Sequence, residues 1–206
     1  MNIYNTLGKH KEVFKPIEKG KVKMYTCGPT VYFFAHIGNF SAYIMADVLR
    51  RVLEYNGYEV KHIMNITDVG HLVGDADTDG EDKMIKAAKR DKKKPEEIAQ
   101  FYTDDFLKNG KKLNIKPAHK YLRATAHIQE MIEIIEILIK KGLAYESNGN
   151  VFFEVKKFKE YGKLSGNTLD KIKTGIRLEP HPDKKNPADF ALWLKAPKEH
   201  LMQWDS

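Results

Sequence analysis

The sequence has a single cysteine among 206 residues. One thiol excludes an internal disulfide. It also cannot complete a structural zinc site, which takes four ligands, so any metal must recruit other groups. There is no apolar run of membrane length and no signal-peptide pattern, so the chain is expected to be soluble and cytoplasmic, with no membrane partner. A GxGxxG turn is also missing after the first strand-like run, which argues against a dinucleotide cofactor. What is present is 42% hydrophobic residues, enough for a core in one large domain or in a domain with an inserted module. Thirty-five Lys and Arg stand against 28 Asp and Glu, a formal charge of +7 with a pI near 9.2. That excess suits a polyanionic partner, although a basic surface also keeps a protein in solution.

The densest chemistry lies in MYTCGPTVYFFAHIGN, residues 24–39. The run Val22 to Cys27 is β-branched and aromatic enough for a buried strand, and Gly28-Pro29 stops it. From Phe40 the pattern turns helical, with Tyr43, Ile44, Val48, Val52 and Tyr55 on one side and Gly57 closing the helix. Tyr58 to Ile66 reads as a second strand, parallel to the first because a helix joins them. The His-Ile-Gly-Asn tetrad, His36 to Asn39, therefore falls between a strand and a helix. Open α/β sheets bind nucleotides there, because the first helical N–H groups and the positive dipole end face the crevice beyond the strand.

Elsewhere the residues read more plainly. Asn2 to Ile17 is a short strand and loop leading into the main sheet, with a turn at Phe14-Lys15-Pro16. Asp75, Asp77, Asp79 and Gly80 copy the start of a calcium loop, but its twelfth position is Lys86 instead of Glu, and a solvated acidic loop capping the next helix is the better account. Glu81 to Arg90 and Lys94 to Leu113 read as helices, the second with Ile98, Phe101, Tyr102, Phe106 and Leu113 as core. Lys89, Arg90, Lys92, Lys93 and Lys94 form a basic run that is either a solvated face or an RNA-backbone contact. Thr125 is a candidate N-cap for a helix to Lys141 ended by Gly142, with Ile128, Met131, Ile132, Ile135, Leu138 and Ile139 as its buried stripe. Ala144-Tyr145, Asn148-Gly149 and Val151 to Val155 form a hairpin around an Asn-Gly turn. Tyr161 to His181 is loop, and Trp193 is a packing residue.

The strand, CGPTVY, HIGN and the long helix together resemble the N-terminal half of class I aminoacyl-tRNA synthetases, and within that class the cysteinyl-tRNA synthetases. NTL at Asn5 to Leu7, FKPI at Phe14 to Ile17, NITD at Asn65 to Asp68, RATAHI at Arg123 to Ile128 and KNPADFALWLK at Lys185 to Lys195 follow in the family's order and cover nearly the whole chain. The resemblance implies an α/β fold, the first half of a Rossmann-like catalytic domain over residues 1–115. A small α+β connective insertion over 116–200 and a return to the catalytic fold at 201–206 would follow.

It implies ATP-dependent activation of cysteine and transfer to tRNA(Cys), with ATP as substrate together with Mg2+, by a monomeric enzyme. His36, Gly38 and Asn39 would line the ATP phosphates, His36 and Asn39 acting in catalysis. Gly28, Thr30 and Thr67 would line the cysteine pocket. Cys27 would be one of four ligands of a zinc that binds the substrate thiol, since zinc accepts sulfur where a serine hydroxyl would not compete. The family's usual fourth tetrad residue is His, and Asn39 replaces a chargeable donor with a neutral one. Its KMSKS loop and remaining zinc ligands are absent. The chain therefore reads as a fragment or truncated product, inactive by itself. A cysteine–amino-sugar ligase of mycothiol synthesis and a non-catalytic nucleotide- or RNA-binding remnant are the alternatives.

Overall fold

A computed structural model describes residues 1–69, 83–166, 181–198 and 200–206. The aspartate loop weighed for calcium and for capping the next helix, and residues 167–180 of the long loop, lie outside the described residues. The described chain divides into two units. The first holds residues 1–2, 13–69 and 83–127, and the second holds 3–12, 128–166, 181–198 and 200–206.

The first unit is a three-stranded parallel sheet, β3 (Lys21–Thr26), β4 (Glu59–Ile66) and β5 (Lys120–Arg123), with β4 in the middle. Helix α1 (Ile37–Tyr55) joins β3 to β4, and α2 (Lys83–Asp91) and α3 (Pro95–Lys112) precede β5. Both crossovers step the same way across the sheet, which places their helices over one face. The burial of β4 alternates accordingly: Val60, His62, Met64 and Ile66 are buried, while Glu59 and Lys61 face out. Phe40 and Tyr43 of α1, Met64 of β4 and Phe106 of α3 form the core cluster, each large side chain contributing about 1.5–3 kcal/mol by leaving water. β5 follows residue 115 in sequence and belongs to this unit.

Three expectations change here. β3 is not a buried strand: as an edge of the described sheet it alternates exposed and half-buried residues, with Tyr25 exposed. Helix α1 starts at Ile37, three residues before the expected Phe40, and its buried face is Phe40, Tyr43, Asp47, Arg50 and Leu53. Ile44, Val48, Val52 and Tyr55 are exposed. The face turns because polar groups hold it. Asp47 binds Arg51 at 2.6 Å and accepts the Lys116 N–H at 3.0 Å, Arg50 donates to the Pro117 carbonyl at 2.7 Å, and Glu54 pairs with Arg50 and Lys116. Hydrogen bonds from Lys116 and Arg50 hold the Glu54 carboxyl below its usual range. In α3, Ile98, Tyr102 and Phe106 are buried as expected, whereas Phe101 and Leu113 are exposed.

His62 is buried, with Nε2 2.7 Å from the Thr26 hydroxyl, its backbone N–H given to His119 Nδ1, and no partner for its own Nδ1 among the described residues. Burial, then Arg50 and His119, lower its pKa, and Asp47 offsets this in part. The unfolded chain therefore takes up a proton near the ordinary value of about 6.5 while the folded chain still resists it. The neutral ring's contribution is complete above that pH and is lost as pH falls toward the folded value. Denaturant midpoints of unit 1 should drop between pH 7 and pH 5, and His62→Gln should flatten that dependence; an equal drop in both proteins would contradict it.

The second unit combines the helix α4 (Ile128–Lys140) with an antiparallel sheet of β6 (Ala144–Ser147), β7 (Asn150–Phe153) and β8 (Phe190–Trp193). The β6–β7 turn is Asn148-Gly149 with φ of 52° and 84°, the left-handed pair that a two-residue hairpin needs. β8 was not expected; it pairs with β7, and Trp193 is half-buried opposite Val151. Asp189, in the NPADF run, is the polar centre of this sheet. It accepts from Tyr145 Oη at 2.8 Å and from the backbone N–H groups of Val155 and Asn186. Burial and this carboxylate push the Tyr145 phenol up to about 12. The α4 stripe is half-buried, with Ile139 exposed, so it is not the buried stripe expected. The strand and loop expected for the N-terminal segment is a separate hairpin of β1 (Asn2–Asn5) and β2 (His10–Val13), not a lead into the parallel sheet.

Candidate functional site

The tetrad forms the first turn of α1. His36 is the N-cap in extended conformation: its Nδ1 accepts the Gly38 N–H at 3.0 Å, and Asn39 Oδ1 accepts the His36 N–H at 3.0 Å. This reciprocal box satisfies two backbone groups that a helix start leaves open. A Cβ on Gly38 would lie 2.8 Å from His36 Cε1, so glycine here makes room for the capping ring. With Nδ1 accepting, the proton of the neutral ring sits on Nε2. His36, Gly38 and Asn39 are all exposed, so the Nε2–H and the Asn39 Nδ2 are donors at the positive end of a 19-residue helix.

The other expected site residues gather where β3 and β4 end. Beyond the two strands, Thr30 and Thr67 continue the parallel pairing, with Val31 N–H to Thr67 O at 3.1 Å and Thr67 N–H to Pro29 O at 3.0 Å. Gly28 donates its N–H to Asn65 Oδ1 at 2.8 Å, and a Cβ on it would fall 1.8 Å from the Asn65 carbonyl oxygen. No side chain fits there. Asn65 is the residue that sequence reading passed over. Its Oδ1 also accepts from Tyr25 Oη at 3.0 Å, and its Nδ2 donates to Thr67 Oγ1 at 3.0 Å, so one amide ties Tyr25, Gly28 and Thr67 together. The available signal was its place at the end of a strand, two residues before Thr67.

Cys27 is exposed, and among the described residues its Sγ makes a long 3.8 Å contact to the Gly28 carbonyl. Burial, with a smaller electrostatic contribution from Cys27, pushes the Tyr43 phenol up to about 12. Tyr43 follows Asn39 by four residues, one helical turn along the same side of α1. No group of three or more His, Cys, Asp or Glu placed to hold a metal ion occurs among the described residues. Cys27 thus offers one donor, and the described residues do not form a complete zinc site.

Thr125 is not an N-cap. It lies in a 3-10 turn, Ala124–His127, ahead of α4, and gives both its N–H (2.9 Å) and its hydroxyl (2.7 Å) to Asp68. Asp68 is 2% exposed, with Arg123 at 4.0 Å. This buried carboxylate therefore fastens the end of β4 to the turn after β5.

A family model described as tRNA synthetases class I (C) catalytic domain matches residues 13–206. The Cysteine–tRNA ligase of Chlorobium luteolum is 50% identical over 205 residues, which are 99% of this chain and 42% of the relative. That of Pyrococcus horikoshii is 48% identical over 206 residues, 100% of this chain and 41% of the relative. The chain spans about two fifths of the length of these curated relatives. Among solved structures, the ternary LeuRS–tRNA–LeuAMS complex of Agrobacterium radiobacter K84 has a TM-score of 0.49 at 22% identity, covering 69% of this chain and 17% of that one.

Proposed function

Because this chain belongs to the class I (C) tRNA synthetase catalytic-domain family, we propose that it is the N-terminal part of a cytoplasmic, monomeric cysteine–tRNA ligase. The observation that carries this reading is identity near one half over the whole chain to proteins named Cysteine–tRNA ligase. No helix among the described residues is long and apolar enough to cross a membrane. In the proposed reaction a cysteine carboxylate oxygen bonds to the α-phosphorus of Mg2+-bound ATP as the bond to pyrophosphate breaks. The cysteinyl group then passes to the 3′ end of tRNA(Cys). Such a step needs positioning and charge stabilisation more than an acid or base.

His36 Nε2–H and Asn39 Nδ2 are proposed to donate to phosphate oxygens as charge builds on them, and the bare Gly38 backbone to let the triphosphate approach. Gly28, Thr30 and Thr67 are proposed to line the cysteine pocket, their spacing set by Asn65. Cys27 is proposed as one ligand of a thiol-recognising zinc whose other ligands lie outside the described residues. The connective insertion read over 116–200 is proposed to begin after β5, which pairs with the parallel sheet, and residues 201–206 are proposed to begin the return to the catalytic fold.

The test is cysteine-dependent ATP–pyrophosphate exchange in a polypeptide that continues this chain through the rest of the family's length. Absence of exchange with cysteine would overturn the reading. Within that assay Asn39→His should keep or modestly raise the rate, since a chargeable donor replaces a neutral one at the phosphates. A hundredfold fall, about 2.7 kcal/mol of transition-state stabilisation, would mean that the pocket requires the amide.

A further inference from the structure

Three phenyl rings lie open beside the tetrad. Phe33, Phe34 and Phe101 are 53%, 48% and 46% exposed, although each is large enough to be worth burying. They are not loose. Phe33 packs on Phe34 at 5.7 Å, Phe34 meets Phe101 at 6.0 Å and Tyr102 at 5.0 Å, and Phe101 meets Tyr102 at 5.1 Å. The buried Tyr102 thus anchors an exposed aromatic platform formed by the loop after β3 and by α3. A contiguous apolar patch of this kind, rimmed by polar groups, marks an interaction surface.

Its rim is cationic. The Arg90 guanidinium lies 5.2 Å above the Phe33 ring, and Lys93 Nζ lies 4.9 Å above Phe101. Arg90 is locked in place by two bonds to Asp91, at 2.6 and 2.7 Å, and one to Tyr102 Oη at 2.7 Å. Lys92 and Lys94 flank Lys93 in the link between α2 and α3. Aromatic rings that stack bases beside cations that follow a backbone are what a single-stranded nucleic acid requires. A duplex hides its base faces and cannot use the rings.

We propose that Phe33, Phe34 and Phe101, with Lys93 and its basic neighbours, form a stacking platform for the unpaired end of an RNA strand. The rings are already fixed before binding, which lowers the ordering cost. Phe33 precedes the N-cap His36 by three residues, at most about 11 Å of chain, so a strand held there would present its terminus toward the start of α1. Identifying that strand as the acceptor end of tRNA rests on the ligase reading; the platform itself rests on the rings and cations.

Fluorescence anisotropy of residues 1–206 with a labelled unstructured 12-mer RNA, and with a hairpin duplex of equal length, tests it without ATP or cysteine. Phe101→Leu keeps the apolar packing and removes the π face, and it should weaken single-strand binding about tenfold. Lys93→Gln should lower the slope of log affinity against log salt by roughly 0.7. Unfolding curves of both variants should match the parent. Affinity unchanged by Phe101→Leu, a duplex bound as well as the single strand, or self-association removed by Phe101→Leu would each overturn the proposal, the last by assigning the face to a second copy. Exchange activity in the longer polypeptide is read separately, so a failed platform and a failed ligase reading give different results.

Discussion

Gly28→Ala should cost unit 1 about 3 kcal/mol or more of stability. Ordinary overpacking costs roughly 1–3 kcal/mol because side chains can shift. Here the added methyl would sit 1.8 Å from the Asn65 carbonyl oxygen and 2.9 Å from its carbonyl carbon, and backbone at the centre of a sheet cannot move aside. Relief requires the end of β3 to leave β4, which breaks the Gly28 N–H to Asn65 bond and strains the Tyr25–Asn65 and Asn65–Thr67 bonds. Gly110 is the control, because it is helical and a Cβ there meets nothing within 4 Å. Gly110→Ala should stabilise by up to about 1 kcal/mol through helix propensity. Urea unfolding of the three proteins, with amide exchange at Val31 and Thr67, gives the comparison. A Gly28→Ala protein within about 0.5 kcal/mol of the parent would show that the close approach is not required.

Cys27→Ser should remove most bound zinc and lower cysteine-dependent exchange a hundredfold or more in the longer polypeptide, about 2.7 kcal/mol. A hydroxyl does not replace a thiolate as a soft ligand, so the site loses one of its four donors and holds zinc more weakly. The folded state should be untouched, since Cys27 is exposed and its hydrogen-bond contact among the described residues is 3.8 Å long; equal unfolding midpoints would separate ligand loss from misfolding. Residues 1–206 alone should carry well under one zinc per chain, because no cluster of three metal-binding side chains forms among the described residues. Stoichiometric zinc in that chain, or unchanged zinc and exchange in Cys27→Ser, would overturn the assignment of Cys27.

The motif order of CGPTVY, HIGN, NITD, RATAHI and KNPADFALW was enough to place the chain in its family, which the match over residues 13–206 bears out. Local signals also located what they govern directly. Gly28-Pro29 ends β3, two apolar runs joined by a helix form a parallel pair, and Asn148-Gly149 makes the hairpin turn. These features depend on neighbours within a few residues, and the sequence shows those neighbours.

Tertiary structure decided what depends on distant partners. Periodicity marks an apolar stripe on α1 through Ile44, Val48 and Val52, yet that stripe faces out, because Asp47, Arg50 and Arg51 find partners at Asn114, Lys116 and Pro117, over sixty positions along the chain. Thr125 has the residue type of a helix cap, but the carboxylate of Asp68, 57 positions earlier, takes both of its donors. Asn65 looked like an unremarkable strand residue until Gly28 and Tyr25 closed on it from the adjacent strand. In each case a buried or half-buried polar group finds its partner far along the chain, and which group satisfies it is fixed only when distant segments come into register.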